Sequence, residues 1–188
     1  VLIGGLAVDD AWALVGARWQ PLPAVGLPAR VAAVEPSSGR VVAFGSVDSL
    51  GPMQGAALVG DAWERLQDGP AGYGVIAGTL TPTPTGDLLC LDGLGGPTWR
   101  YRAGAWAELD ATPEFGRPAS AFDEARARLV TVLANPGGRL ETWELVEGVF
   151  TRVGVQDLGG LGRPVLTFDR RRQRLLLVGG ASGREVWT

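Results

Sequence analysis

Histidine and lysine are both missing from this sequence of 188 residues, and it has a single cysteine. Without histidine there is no common general base near neutral pH, no Ser-His-Asp arrangement and no imidazole metal ligand. With Cys90 alone, no intramolecular disulfide can form, and its place in the run Leu88-Leu89-Cys90-Leu91 is that of a buried, inert thiol. The chain also lacks an apolar run of the roughly 20 residues that a membrane-spanning helix needs, and a charged leader before an apolar segment. It begins at Val1 inside an apparent strand, so the expectation is that its natural start and any targeting signal lie outside it; the compartment stays open. A strong imbalance of charge is missing too. With 17 bases against 20 acids the net charge is -3, which gives no electrostatic case for nucleic acid or an anionic membrane surface. Every base is arginine, and the cluster Arg170-Arg171-Arg172 with Arg174 reads as a solvated turn.

What the chain has in plenty is turn residues. Its 29 glycines and 13 prolines are scattered singly and in pairs between short apolar runs, the distribution of many short strands. Length and a hydrophobic fraction of 46% suit one ordinary soluble domain with a real core. A sustained helical spacing is absent, because glycine or proline interrupts every window.

The strands are organised by a repeat. Gly16 with Trp19, Gly60 with Trp63, Gly104 with Trp106, and Gly148 with Phe150 place glycines at intervals of 44, 44 and 44, and aromatics at 44, 43 and 44. A second register, Trp12, Trp99, Trp143 and Trp187, gives 44 again between its last two pairs, with Ala56 near the place where a further aromatic would fall. In the third full copy, residues 118–124, 128–134, 140–147 and 149–153 are four strands. Four short strands per 44 residues is the composition of a propeller blade.

Two further features recur. Between first and second strands, Glu35 to Arg40, Asp123 to Arg128 and Asp169 to Arg174 each open on an acid and close on an arginine five residues later. That predicts a carboxylate accepting turn N–H groups, with the arginine facing it across the hairpin, a structural device. Second strands end in glycine, as in Gly4-Gly5, Gly179-Gly180 and Gly45, where close backbone approach leaves no room for a Cβ.

An apolar run closed by Gly-Gly, an aromatic about seven residues on and a tryptophan about seven beyond that is similar to the kelch repeat; Gly4-Gly5, Trp12 and Trp19 form the best copy. Other copies replace the glycine pair by Gly45-Ser46, Asp92-Gly93 and Asn135-Pro136. The resemblance, to kelch propellers such as the central domain of galactose oxidases, implies an all-β ring of four-stranded antiparallel blades, first strands lining a channel. The expected divisions are a partial blade 1–22, blades 29–66, 73–109 and 117–153, and a partial blade 163–188. About four and a quarter repeats do not make the six or seven blades usual for kelch rings, so one or more blades are expected to be missing. The copper chemistry of kelch-like oxidases needs histidine and does not carry over.

From this inventory the chain is expected to be a non-catalytic binding scaffold with no cofactor and no metal. The acids Asp9, Asp10, Asp48, Asp110, Glu114 and Asp157 fall in different loops, and Asp9-Asp10 and Asp48 lack the spacing of a calcium loop. Asp92-Gly93-Leu94-Gly95-Gly96 and Gly159-Gly160-Leu161-Gly162 precede strands, where a phosphate loop precedes a helix. Binding of a protein or small-molecule ligand is expected on the face carrying the loops from fourth to first and from second to third strands. Arg30, Arg117 and Arg163 close three of those loops and Arg139 another, positioned to grip a carboxylate. The alternative role for the three recurring arginines, and the preferred one, is to cap carbonyls of the preceding blade. Two other functions remain open: a structural propeller segment of a larger bacterial envelope or surface protein, and a carbohydrate-active propeller enzyme using paired carboxylates.

Overall fold

In a computed structural model of the chain, the described residues are 2–5, 8–46, 51–70, 78–91, 96–111, 118–134, 139–157, 164–179 and 185–188. They form eighteen strands and no helix. The first sheet has three: β1 (Leu2–Gly5), β2 (Val8–Val15) and β3 (Arg18–Leu22). Three four-stranded sheets follow. They are β4 (Ala29–Val34), β5 (Val41–Gly45), β6 (Gln54–Val59) and β7 (Ala62–Arg65); β8 (Thr79–Pro82), β9 (Leu88–Leu91), β10 (Pro97–Arg102) and β11 (Ala105–Ala111); and β12 (Pro118–Asp123), β13 (Arg128–Ala134), β14 (Arg139–Val146) and β15 (Val149–Asp157). The last sheet has β16 (Val165–Asp169), β17 (Arg174–Gly179) and β18 (Glu185–Trp187). Every pairing is antiparallel between consecutive strands, and β4, β8, β12 and β16 stand side by side with β1 beside β4. This is a β-propeller arrangement, with first strands inside and fourth strands on the rim.

The glycine register that revealed the repeat has a backbone cause. Gly16, Gly60, Gly104 and Gly148 all have positive φ, between +58° and +88°, at the hairpins from third to fourth strand, with open space where a Cβ would sit. Conformation, not crowding, selects glycine there, and the matching right-handed strand twist favours such turns.

The aromatic register is explained by packing between sheets. Trp63 lies against Ala11 and Leu22 of the first sheet; Trp99 and Trp106 join Val42, Phe44 and Met53; Phe150 meets Leu89 and Leu91; Trp187 joins Ala119 and Val132. Each copy thus lays its aromatic onto the preceding sheet. The densest junction stacks Phe44, Tyr101 and Trp106 edge-on or tilted, with ring centroids 4.9 to 5.1 Å apart.

One element exceeds its expected bounds. β15 runs to Asp157, past Val153, because a bulge at Thr142/Trp143 lets its far half continue pairing with β14 back to Arg139.

Candidate functional site

Among the expected binding residues, Arg30 is the best defined. The chain leaves β3, pins Val25 and Leu27 into the core, and offers the Pro23 carbonyl to the Trp63 indole N–H at 2.9 Å. A tight turn from the Ala29 N–H to the Leu27 carbonyl, 2.7 Å, then starts β4. Gly45 makes the next step necessary: a Cβ there would lie 2.0 Å from the Pro28 carbonyl oxygen, so the backbones meet where only glycine fits. Pairing goes from Ala29–Gly45 to Val31–Phe44, leaving Arg30 as the extra residue of a bulge on an innermost strand. Bulges re-aim side chains, and this one leaves the Arg30 side chain exposed.

Arg30 makes no hydrogen bond or ion pair among the described residues, so it does not cap a carbonyl there. Arg139 is likewise exposed; it opens β14 opposite Asp157, on the same face of the propeller as Arg30. Arg117 and Arg163 lie outside the described residues, so two of the four arginines have known positions.

The loops around Arg30 are built on buried anchors. Met53 is buried in the junction of the second and third sheets, while its N–H donates to the Pro70 carbonyl and its carbonyl accepts from the Gly69 N–H at 2.7 Å. Gly69 sits under Trp106, where a Cβ would be 3.1 Å from the indole nitrogen. Between the inner strands of the next two sheets, the Thr79 hydroxyl donates to Ser120 at 3.2 Å, and Ser120 shares a 3.0 Å hydrogen bond with buried Thr131. Sequence reasoning missed these hydroxyls, since isolated Ser and Thr within strands carry no spacing signal.

The opposite face holds the acid–arginine turns. Glu35, almost fully buried, takes Arg40 at 3.0 Å and the Ser38 hydroxyl, the expected pairing. The other turns depart from it. Asp123 accepts the N–H groups of Ala125 and Arg126 and pairs with Arg126 at 2.6 Å, whereas Arg128 reaches across to Glu144, which also holds Arg126, each at 2.6 Å. Asp169 pairs with Arg172, not Arg174, and Arg170 bridges to Glu124 of the neighbouring turn. In the third sheet the acid closes its turn: Asp87 pairs with Arg102 at 2.8 Å. The closing arginine misses its opening acid wherever a nearer arginine inside the turn, or a carboxylate on the third strand, competes for it. Hydrogen bonding from Arg172 holds the Asp169 carboxyl below its usual range, and the carboxylates keep the arginines Arg40 and Arg126 more firmly protonated.

The candidate carboxylates do not converge. Asp10 accepts from the Trp12 indole at 3.0 Å on the first sheet, and Asp157 ends the rim strand β15. Asp48 and Glu114 lie outside the described residues, as do the side chains of Asp9 and Asp110. Among the described residues there is no group of three metal-ligating side chains.

No protein-family model matches the chain, and no curated protein matches it. Solved structures do. Virginiamycin B lyase from Staphylococcus aureus superposes with a TM-score of 0.63 at 13% identity, over 97% of this chain and 63% of the lyase. A chain in the nidogen–laminin complex gives 0.66 at 13% identity, over 92% of this chain and 67% of that one. A protein assigned as a 6-phosphogluconolactonase from Bacteroides uniformis gives 0.64 at 14% identity, over 86% and 50%. The chain therefore spans less than two thirds of the lyase. These likenesses correct one expectation. Two of the three neighbours carry enzyme names, so reading this chain as non-catalytic does not stand; the same fold serves both enzymes and a protein assembly. At such identities the likeness concerns fold alone, and the chain is an all-β propeller.

Proposed function

We propose that the chain is a propeller binding segment of kelch type that recognises a carboxylate-bearing ligand, on a protein or a small molecule, through the loop face carrying Arg30, Arg139, Arg117 and Arg163. The observation that carries this reading is Arg30: an exposed guanidinium on a bulge of an innermost strand, unengaged among the described residues, held by loops anchored on Val25, Leu27 and Met53. An arginine fork matches a carboxylate in two parallel hydrogen bonds, and a rigid scaffold limits the entropy lost on binding. The nidogen–laminin neighbour belongs to a protein complex, which accords with a protein ligand. The kelch assignment is supported by the Gly-Gly and paired-aromatic spacing.

Titration calorimetry with hexaglutamate and with citrate tests the reading. Arg30→Ala weakens binding about tenfold, the ~1.4 kcal/mol expected of one partly screened charge-assisted contact, and affinity falls further with salt. Undiminished affinity in Arg30→Ala together with Arg139→Ala would refute it.

A second reading, chemistry on the bound ligand, is favoured by the two enzyme neighbours. A catalytically inactive His→Ala variant of the lyase is also among the similar structures, in complex with quinupristin, and these 188 residues hold no histidine to take that part. Incubation with 6-phosphogluconolactone and with quinupristin, followed by mass spectrometry, decides this reading: consumption of either above the buffer rate supports it, and none removes it.

A further inference from the structure

The two end sheets of the arc carry apolar faces whose interior counterparts are all packed. On the first sheet, Ala11 is buried against the second, so strand alternation turns Trp12, Leu14 and Trp19 the other way; Leu14 and Trp19 stand directly opposite each other and are 53% and 52% exposed. In every interior copy the aromatic equivalent to Trp19, namely Trp63, Trp106 or Phe150, lies against the preceding sheet. On the last sheet, Leu166, Leu177 and Trp187 face inward, which leaves Val165, Val178 and Val186 as one cross-strand row on the outer face, with Val165 and Val186 each 59% exposed.

We propose that these faces are the two open halves of junctions between blades, and that their occupant is a wedge of about two further sheets of the same 44-residue repeat. The argument is continuity with the existing junctions. In each of them one or both aromatics of the Trp12/Trp19 kind meet a mainly aliphatic face of the preceding sheet, and here one end displays the aromatics while the other displays an aliphatic row. The size of the gap selects the occupant. Eighteen strands, or four and a half blades, spread over 63% of the matched lyase put a closed ring at about seven. A second copy of this arc, with the same curvature, is too large for the remaining third.

The test extends the full chain with its own repeat. Residues 145–188 are one period beginning at the end of the third strand, so each added copy contributes one fourth strand and the first three strands of the next sheet, and a final copy of 145–169 supplies the fourth strand and the first strand needed to complete the end sheets. Forms with zero, one and two added periods are compared by thermal melting and by acrylamide quenching of tryptophan. The two-period form gains most in Tm, and its quenching falls in the same step. Trp19→Ser then lowers its Tm by about 5 °C while shifting the 188-residue chain by about 1 °C or less. Equal gains from every added period, a two-period form that folds no better than the form with none, or an equal effect of Trp19→Ser in both chains overturns the proposal. So does head-to-tail self-association of the 188-residue chain that Trp19→Ser abolishes, because the occupant would then be a second copy.

Discussion

Gly45 and Arg30 are linked through one backbone contact. Replacing Gly45 by alanine puts a methyl group 2.0 Å from the Pro28 oxygen, and rigid backbone on both sides must give way. Gly45→Ala therefore costs about 3 kcal/mol by overpacking, measured by urea denaturation, and weakens hexaglutamate binding because the bulge that aims Arg30 moves with Pro28. Tyr101 supplies a second prediction at this scale. Burial, and then the nearby charge of Glu35, push its hydroxyl above the ordinary value of 10.0. A group whose folded value is raised stabilises fully below its unfolded value and loses that contribution as pH rises through the folded one. Tm accordingly drops above pH 10, with phenolate absorbance appearing during unfolding, and Tyr101→Phe flattens that alkaline drop. Only the crowding at Gly45 was readable from the chain. Gly45 could be assigned to a crowded strand end by its position, but the bulge depends on how two backbones meet, and Tyr101 lies outside both aromatic registers.

Among the elements, the turns between first and second strands differ in how deeply their acids are held. Glu144, on the third strand beside one turn, is largely buried and held by two arginines, whereas Asp169 has a single arginine partner, Arg172, which is exposed. Glu144→Gln removes about 2 kcal/mol, since it weakens two charge-assisted contacts and leaves two arginines short of an acceptor. Asp169→Asn has a small effect, confined to moderate and high pH. Its carboxyl titrates below the ordinary 3.8, so its contribution is present above that value and fades as pH falls through the folded one. Urea titrations of the two variants at pH 7 and pH 3 check both. The recurrence of an acid and an arginine located these turns correctly, because hairpins repeat with the blade. The actual partners escaped, because Glu144 belongs to the third strand and Arg126 to the turn interior, and only packing brings either to its charge.

For the whole molecule, period and fold were legible because two demands recur once per blade: a left-handed glycine at the outer hairpin, and an aromatic laid on the preceding sheet. The candidate site was legible only as a face. Loop arginines mark it, yet which of them meet depends on loops whose sequences do not repeat, and Arg30, at a bulge, caps no carbonyl among the described residues. Composition is also a poor guide to catalysis here: a missing histidine removes one base and one ligand type, while propellers similar to this one include enzymes. The binding face is tested most directly by following the arginine Nε–Hε signals by NMR during titration with hexaglutamate. Arg30 and Arg139 should shift in proportion to saturation while Arg126 and Arg128, on the opposite face, stay fixed; shifts confined to Arg126 and Arg128, or no saturable shift of Arg30, would contradict it.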